Sequence, residues 1–199
     1  MTKRFSIKFL KTNKLALVPV LVFMFGCAGS EYSELVKNEM AKGIVHDSLV
    51  FGMKFGQTKK EFFDQCWKLN SKGLISQGPQ NQSVKYKLPI KDSTDLKSSM
   101  IMLFYGSFDE KNIMNGMDLQ FYYEFWAPWN KALQSDKLRF AVKDSLEKWY
   151  PGNQFITVEK DNKEMLVKVD GNRRMIIKPL DDEQFVKAKI DDLRDVLEK

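Results

Sequence analysis

Apolar positions along the chain switch between two spacings, near 3.6 residues and near 2, and the switches mark out helices and strands in turn. Thr58 stands three residues before Glu61 and opens a run whose apolar side is Phe62, Phe63, Cys66 and Leu69. The reciprocal hydrogen bonds of a capping box start a helix there, and Asn70, Ser71, Lys72 and Gly73 end it. Ahead of it, residues 49–55 form a short apolar segment broken by Gly52 and followed by Gly56, either an edge strand or an extended lead into the helix.

The period then drops to 2. Val84, Tyr86, Leu88 and Ile90 alternate with Lys85, Lys87 and Pro89, which marks a half-exposed strand whose proline suits an edge. Residues 99–105 are apolar on both sides and read as an inner strand. Met117, Leu119, Phe121, Tyr123 and Phe125 alternate with Asp118, Gln120, Tyr122, Glu124 and Trp126, so a long strand with one apolar and one polar-aromatic face is predicted up to Pro128.

A second cycle follows. Leu138, Val142, Leu146 and Trp149 share one side of a helix predicted within residues 130–149, which Tyr150, Pro151 and Gly152 break. Residues 154–158, 165–169 and 173–177 are three strand candidates, the last two joined by Asp170-Gly171, a strong short hairpin signal. Asp181 and Gln184 offer caps for a closing helix with the stripe Val186, Ile190, Leu193 and Leu197. The expected class is α+β: an antiparallel sheet with helices on one face, in two α-β-β-β cycles plus a C-terminal helix. The cycles, residues 48–128 and 129–199, share no readable residue identity. Duplication and coincidence both account for a repeat of topology alone.

Charge changes the picture only at the N-terminus. The 199 residues carry a net charge of +6, but Lys3, Arg4, Lys8, Lys11 and Lys14 all precede the first acidic residue, Glu31. The remaining 27 basic residues face 26 acidic ones, which removes the electrostatic footprint of a DNA or RNA binder, so no nucleic-acid partner is expected. The cationic stretch 1–14 is followed by an apolar run, 15–25, and then by Gly26-Cys27-Ala28-Gly29-Ser30. That is the outline of a secretory signal. The run is about half the ~20 residues a membrane-spanning helix needs, and it contains Pro19.

Met24-Phe25-Gly26-Cys27 resembles the lipobox of bacterial lipoproteins. The resemblance implies removal of residues 1–26 as a signal peptide, acylation of Cys27 and attachment to a membrane through lipid. The absence of an acidic residue at Ala28 and Gly29 implies, by the same resemblance, transfer to an outer membrane, with either the periplasmic or the surface face open. Residues 27–47, polar with a weak apolar cluster at Leu35, Val36 and Met40 that allows a short helix, read as a lipidated tether that lifts a single α+β domain, 48–199, off the bilayer. The order of elements, with Gly52-Met53 ahead of the capped helix at Thr58, resembles the small lipoprotein domains related to SmpA or OmlA and the β-lactamase-inhibitor-protein fold. That resemblance implies a protein-binding accessory module.

Candidates for catalysis are few. His46 is the one histidine; within His46-Asp47-Ser48, neighbouring residues cannot line up a nucleophile, a base and an orienting acid, so an exposed loop is expected. With Cys27 given to lipid, Cys66 has no disulfide partner and reads as a small buried hydrophobe. No metal site, cofactor or enzymatic activity is expected. Asp181 to Glu183 suit a helix N-terminus, and Asp191-Asp192 the outer side of the closing helix. One feature stands above background: six of the nine residues 121–129 are aromatic. Alternation can bury only about half of them, which nominates Tyr122, Glu124, Trp126 and Trp129 as a binding surface for a protein partner in the envelope or for a sugar. The competing reading is that this side is covered as well and the rings are core.

Overall fold

The computed structural model describes residues 31–90 and 98–197. In chain order they form α1 (Glu31–Ala41), α2 (Lys59–Ser71), β1 (Ser76–Gln77), β2 (Val84–Lys87), β3 (Met100–Phe108), β4 (Met114–Tyr123), α3 (Ser135–Trp149), β5 (Ile156–Lys160), β6 (Lys163–Asp170), β7 (Arg173–Ile177), β8 (Val186–Asp192) and α4 (Leu193–Leu197). The fold is α+β. Its eight-stranded sheet runs β1-β2-β3-β4-β8-β7-β6-β5, with every neighbouring pair antiparallel. Each half is thus a helix followed by a meander of four strands, one more than the sequence pattern predicts. The last strands of the two meanders zip together from Gly116 opposite Asp191 to Phe121 opposite Val186.

The capping box forms as its spacing predicts. The Thr58 hydroxyl accepts from the Glu61 amide, and the Glu61 carboxylate accepts from the Thr58 amide at 2.7 Å. From there α2 buries Phe62 and Leu69, while α3 buries Leu138, Val142 and Leu146. Both helices pack on one face of the sheet, against Met102, Phe104, Met117, Leu119, Phe121, Met175, Ile177, Val186, Ala188 and Ile190. Each large apolar side chain contributes on the order of 1.5–3 kcal/mol by leaving water.

Where the closing helix is expected, the chain is a strand up to Asp192. Val186 and Ile190 fit both periods, since a spacing of four is one helical turn and also two strand repeats. Ala188 between them, flanked by Lys187 and Lys189, settles the matter in favour of period 2. As a strand, β8 bonds to β4 on one side and β7 on the other; a helix there would leave both edges bare. Only Leu193–Leu197 is helical. Asp181 and Gln184 cap no helix either: Asp181 pairs with Lys187, and the neighbouring Asp182 Oδ1 accepts from the amides of Gln184 and Phe185 and shapes the β7–β8 loop.

The segment expected to be a tether is part of the folded body from Glu31 on. Tyr32, Leu35, Val36 and Met40 of α1 pack on Val167, Val169 and Ile176, the side of the sheet away from α2 and α3. Glu39 holds the helix in place: its carboxylate accepts from the Gly171 amide at 3.0 Å, the Asn153 amide nitrogen at 2.7 Å and the Lys42 ammonium. After α1 the chain presses on the β6–β7 hairpin. Gly171, with φ +53°, lies so close to the Ile44 carbonyl that a Cβ there would sit 2.2 Å from its oxygen. Farther along, Phe51 has a left-handed backbone, φ 60° and ψ 24°, which for a bulky side chain costs on the order of 1–3 kcal/mol. Gln65 donates to its carbonyl oxygen at 2.8 Å and holds it there.

Candidate functional site

Strand register decides where the aromatic segment 121–129 points. Phe121 and Tyr123 are buried among the helix-face residues, so Tyr122 faces the other way. Leu103 lies opposite Gln120, and Gln120 in turn opposite Lys187, so these side chains emerge on the same side as Tyr122; Tyr105, opposite Asp118, borders them but sets its ring edge-on against Phe62 of α2, centroids 5.6 Å apart. Together they floor a groove of about 650 Å³. One wall is the loop through Pro79 and Gln82, between β1 and β2. The other is the β7–β8 loop, which brings Phe185 edge-on to the Tyr122 ring, with centroids 5.6 Å apart.

The polar groups of the groove are mostly anchored. Ser107 Oγ donates to Asp118 Oδ2 at 3.0 Å, and the Lys187 ammonium pairs with Asp181 at 2.9 Å. Burial first, and the Glu124 carboxylate second, push the Tyr122 phenol above its ordinary range. It therefore stays protonated at neutral pH and serves as both donor and acceptor. Aromatic walls with a few placed polar groups suit recognition by contact area and hydrogen bonds.

The four residues expected to form one surface are divided by the structure. Tyr122 alone lies in the groove. Strand β4 ends at Tyr123, so Glu124 sits in a turn, where the Lys87 ammonium at 2.6 Å holds its carboxyl below the usual range. Trp126 packs on the main core, and its Nε1 donates to Gln134 Oε1 at 3.3 Å. Gln134 also donates to the carbonyls of Ala127 and Asn130, so Trp126 is a brace of the β4–α3 loop. Trp129 is 82% exposed in that loop. The aromatic run is thus divided: Tyr122 is partly open in the groove and Trp129 exposed in the loop, while Phe121, Tyr123 and Trp126 belong to the core. Tyr105, Phe185 and Lys187 belong to the groove and carry no local sequence signal; only pairing register brings them beside Tyr122.

Elsewhere the chemistry is structural. Burial pushes the Cys66 thiol up to about 11, so it stays protonated and packs against the core. The loop around His46 is exposed at residues 43–45 and at Ser48, with His46 itself half-buried and its amide donating to Asn172 Oδ1. Asp191 and Asp192, expected on an outer helix side, are buried in β8 and paired with Arg174 and Arg194. Among the described residues, no cluster of His, Cys, Asp or Glu is arranged to hold a metal ion, and no helix is long and apolar enough to cross a membrane. Cys27 and the signal segment 1–26 lie outside the described residues. In comparisons with known proteins, no family model, no curated sequence and no solved structure matches the chain.

Proposed function

We propose that the chain is a lipoprotein of the bacterial envelope, acylated at Cys27 and held at an outer membrane, that serves as a non-catalytic binding module for another envelope protein. The observation that carries the binding part is the groove across β3, β4 and β8, with Tyr122 and Phe185 partly open to solvent on a sheet whose other face is covered by two helices. Large rigid rings with polar tips concentrate binding energy at protein interfaces. The lipobox supports the anchor. Because α1 begins at Glu31, four residues past Cys27, the anchor would hold the folded body within about 14 Å of the bilayer at full chain extension. Docking of α1 therefore also sets which side of the sheet faces the membrane. A sugar is the second reading, favoured by Gln120 and Asp118 beside the two tyrosines.

Two substitutions test this. Cys27→Ala is expected to abolish palmitate incorporation and release the protein from the envelope fraction. Tyr122→Arg is expected to keep the protein in the envelope while a photo-crosslinker at Lys187 loses its discrete protein adduct. An acylated, envelope-bound product with the same adduct in wild type and Tyr122→Arg would discard the groove; binding on a glycan array that Tyr122→Ala removes would favour the sugar.

A further inference from the structure

On the helix face of the sheet, a second cavity of about 380 Å³ opens between β2 and the C-terminal half of α3. It is distinct from the groove and shares no residue with it. Its walls are Val50, Phe51, Tyr86 and Trp149, and Met102, fully buried, lies at its base. The Phe51 ring stands edge-on to Tyr86 at 4.8 Å and leans on Phe104 at 5.3 Å, so the left-handed turn at Phe51 builds one wall of the cleft. Helix α2 belongs to the other half of the helix layer, and at this point the 50–52 turn takes the place of a third helix.

The rim is chemically one-sided. Lys148 lines the cleft from the exposed side of α3, and its ammonium takes no hydrogen bond or ion pair among the described residues. The nearby pair Lys143–Glu147 is satisfied within itself, at 2.9 Å. Ser145, which also lines the cleft, spends its hydroxyl proton on the Ala141 carbonyl one turn back along α3. Tyr150, at the inner end, is buried, with its phenol pushed up to about 12 by that burial, and so carries no charge toward the cleft. An apolar slot with one cation at its mouth, unpaired among the described residues, matches a molecule with an aliphatic body and a single anionic head.

We propose that this cleft binds a free fatty acid, with the methylene chain against Phe51, Tyr86, Met102 and Trp149 and the carboxylate at the Lys148 ammonium. The purified chain, titrated with laurate by calorimetry, should take up one molecule per chain and change Trp149 fluorescence. Ser145→Trp, which fills the slot from the helix surface, should abolish uptake at an unchanged thermal midpoint. Lys148→Glu, an exposed change that leaves folding intact, should weaken laurate about tenfold while leaving dodecanol binding unchanged. Three results would overturn the proposal: no saturable uptake of laurate by the wild-type chain, uptake that survives Ser145→Trp, or equal weakening of laurate and dodecanol by Lys148→Glu. Binding to phosphatidylglycerol vesicles with no uptake of free laurate would also overturn it, and would assign the cleft to a membrane headgroup.

Discussion

The side of the sheet opposite α2 and α3 is treated in two ways. Over β5, β6 and β7 it is roofed by α1, and Val169 beneath is fully buried; over β3, β4 and the start of β8 it is open, and the same kind of strand surface becomes a groove lined by Leu103, Tyr105 and Tyr122. Both halves have the same helix-plus-meander plan, so the plan itself does not decide exposure. What decides it is a separate N-terminal helix and the polar clasp that seats it. On the roofed side, polar groups at and beside the hairpin tip find partners on α1: Glu39 accepts from Gly171 and Asn153, and the Tyr32 hydroxyl accepts a hydrogen bond from Arg174 Nη1 at 2.7 Å. On the open side the polar groups pair within the sheet and its loops, as Ser107 does with Asp118, and leave Tyr122 and Phe185 partly exposed.

Removing the clasp should erase the difference most completely. Glu39→Ala leaves the Gly171 amide without its acceptor in a buried site, at about 1–3 kcal/mol, and takes from the Asn153 side chain one of its two acceptors, the Val169 carbonyl remaining. We expect a loss of about 3 kcal/mol in urea unfolding and early proteolytic cleavage between residues 42 and 47, as α1 lifts away. Unchanged stability with uncut α1 would show that its apolar side alone seats it. Val169→Ala comes next, at about 2 kcal/mol, because it opens a space in the small cluster under α1. The same truncation at Leu103, half-buried in the groove, should cost clearly less; equal costs in thermal unfolding would mean that the groove floor is core.

Acid acts on the roofed side with a smaller effect. Burial raises the tendency of Glu39 and Asp192 to hold a proton, but hydrogen bonds outweigh it, from Lys42, Gly171 and Asn153 in the first case and from Arg194 and Asn172 in the second. Both carboxyls therefore sit below their ordinary values in the folded chain. A depressed folded value means stability that is complete above about pH 5 and drains away as pH falls through the folded values. Unfolding midpoints measured from about pH 6 to about pH 3 should fall, and Glu39→Gln should flatten part of that fall.

How much of this the sequence discloses depends on how local each cause is. The helix start at Thr58 and the β6–β7 hairpin are written in four residues or fewer, and both appear as expected, with Gly171-Asn172 forming the loop itself. Strand β8 is hidden because Val186 and Ile190 obey two periods at once, and only pairing with β4 and β7 selects one. The two-residue strand β1 has too few positions to show a period. Asp191 and Asp192 resemble surface charges because Arg174 reaches Asp191 only through sheet register, and Arg194, two residues past Asp192, pairs with it at a spacing no helix side provides. For the groove, alternation correctly sends Tyr122 outward. The same rule misplaces Trp126, since the strand stops three residues before it and alternation ends with the strand.

The smallest expected effect is also the sharpest test of the open side. Tyr122 touches Phe185 edge-on and is only partly buried, so Tyr122→Ala forfeits one ring pair and modest apolar area, under about 1 kcal/mol in total. The groove should widen without disturbing Phe121 and Tyr123, whose side chains are anchored on the opposite face. A change that barely moves the unfolding midpoint yet removes partner binding separates a surface kept for recognition from one kept for stability. A loss of about 3 kcal/mol or more, on the scale of a deleted core residue, would show instead that Tyr122 supports the fold and that the rings of the groove are a second, thinner core.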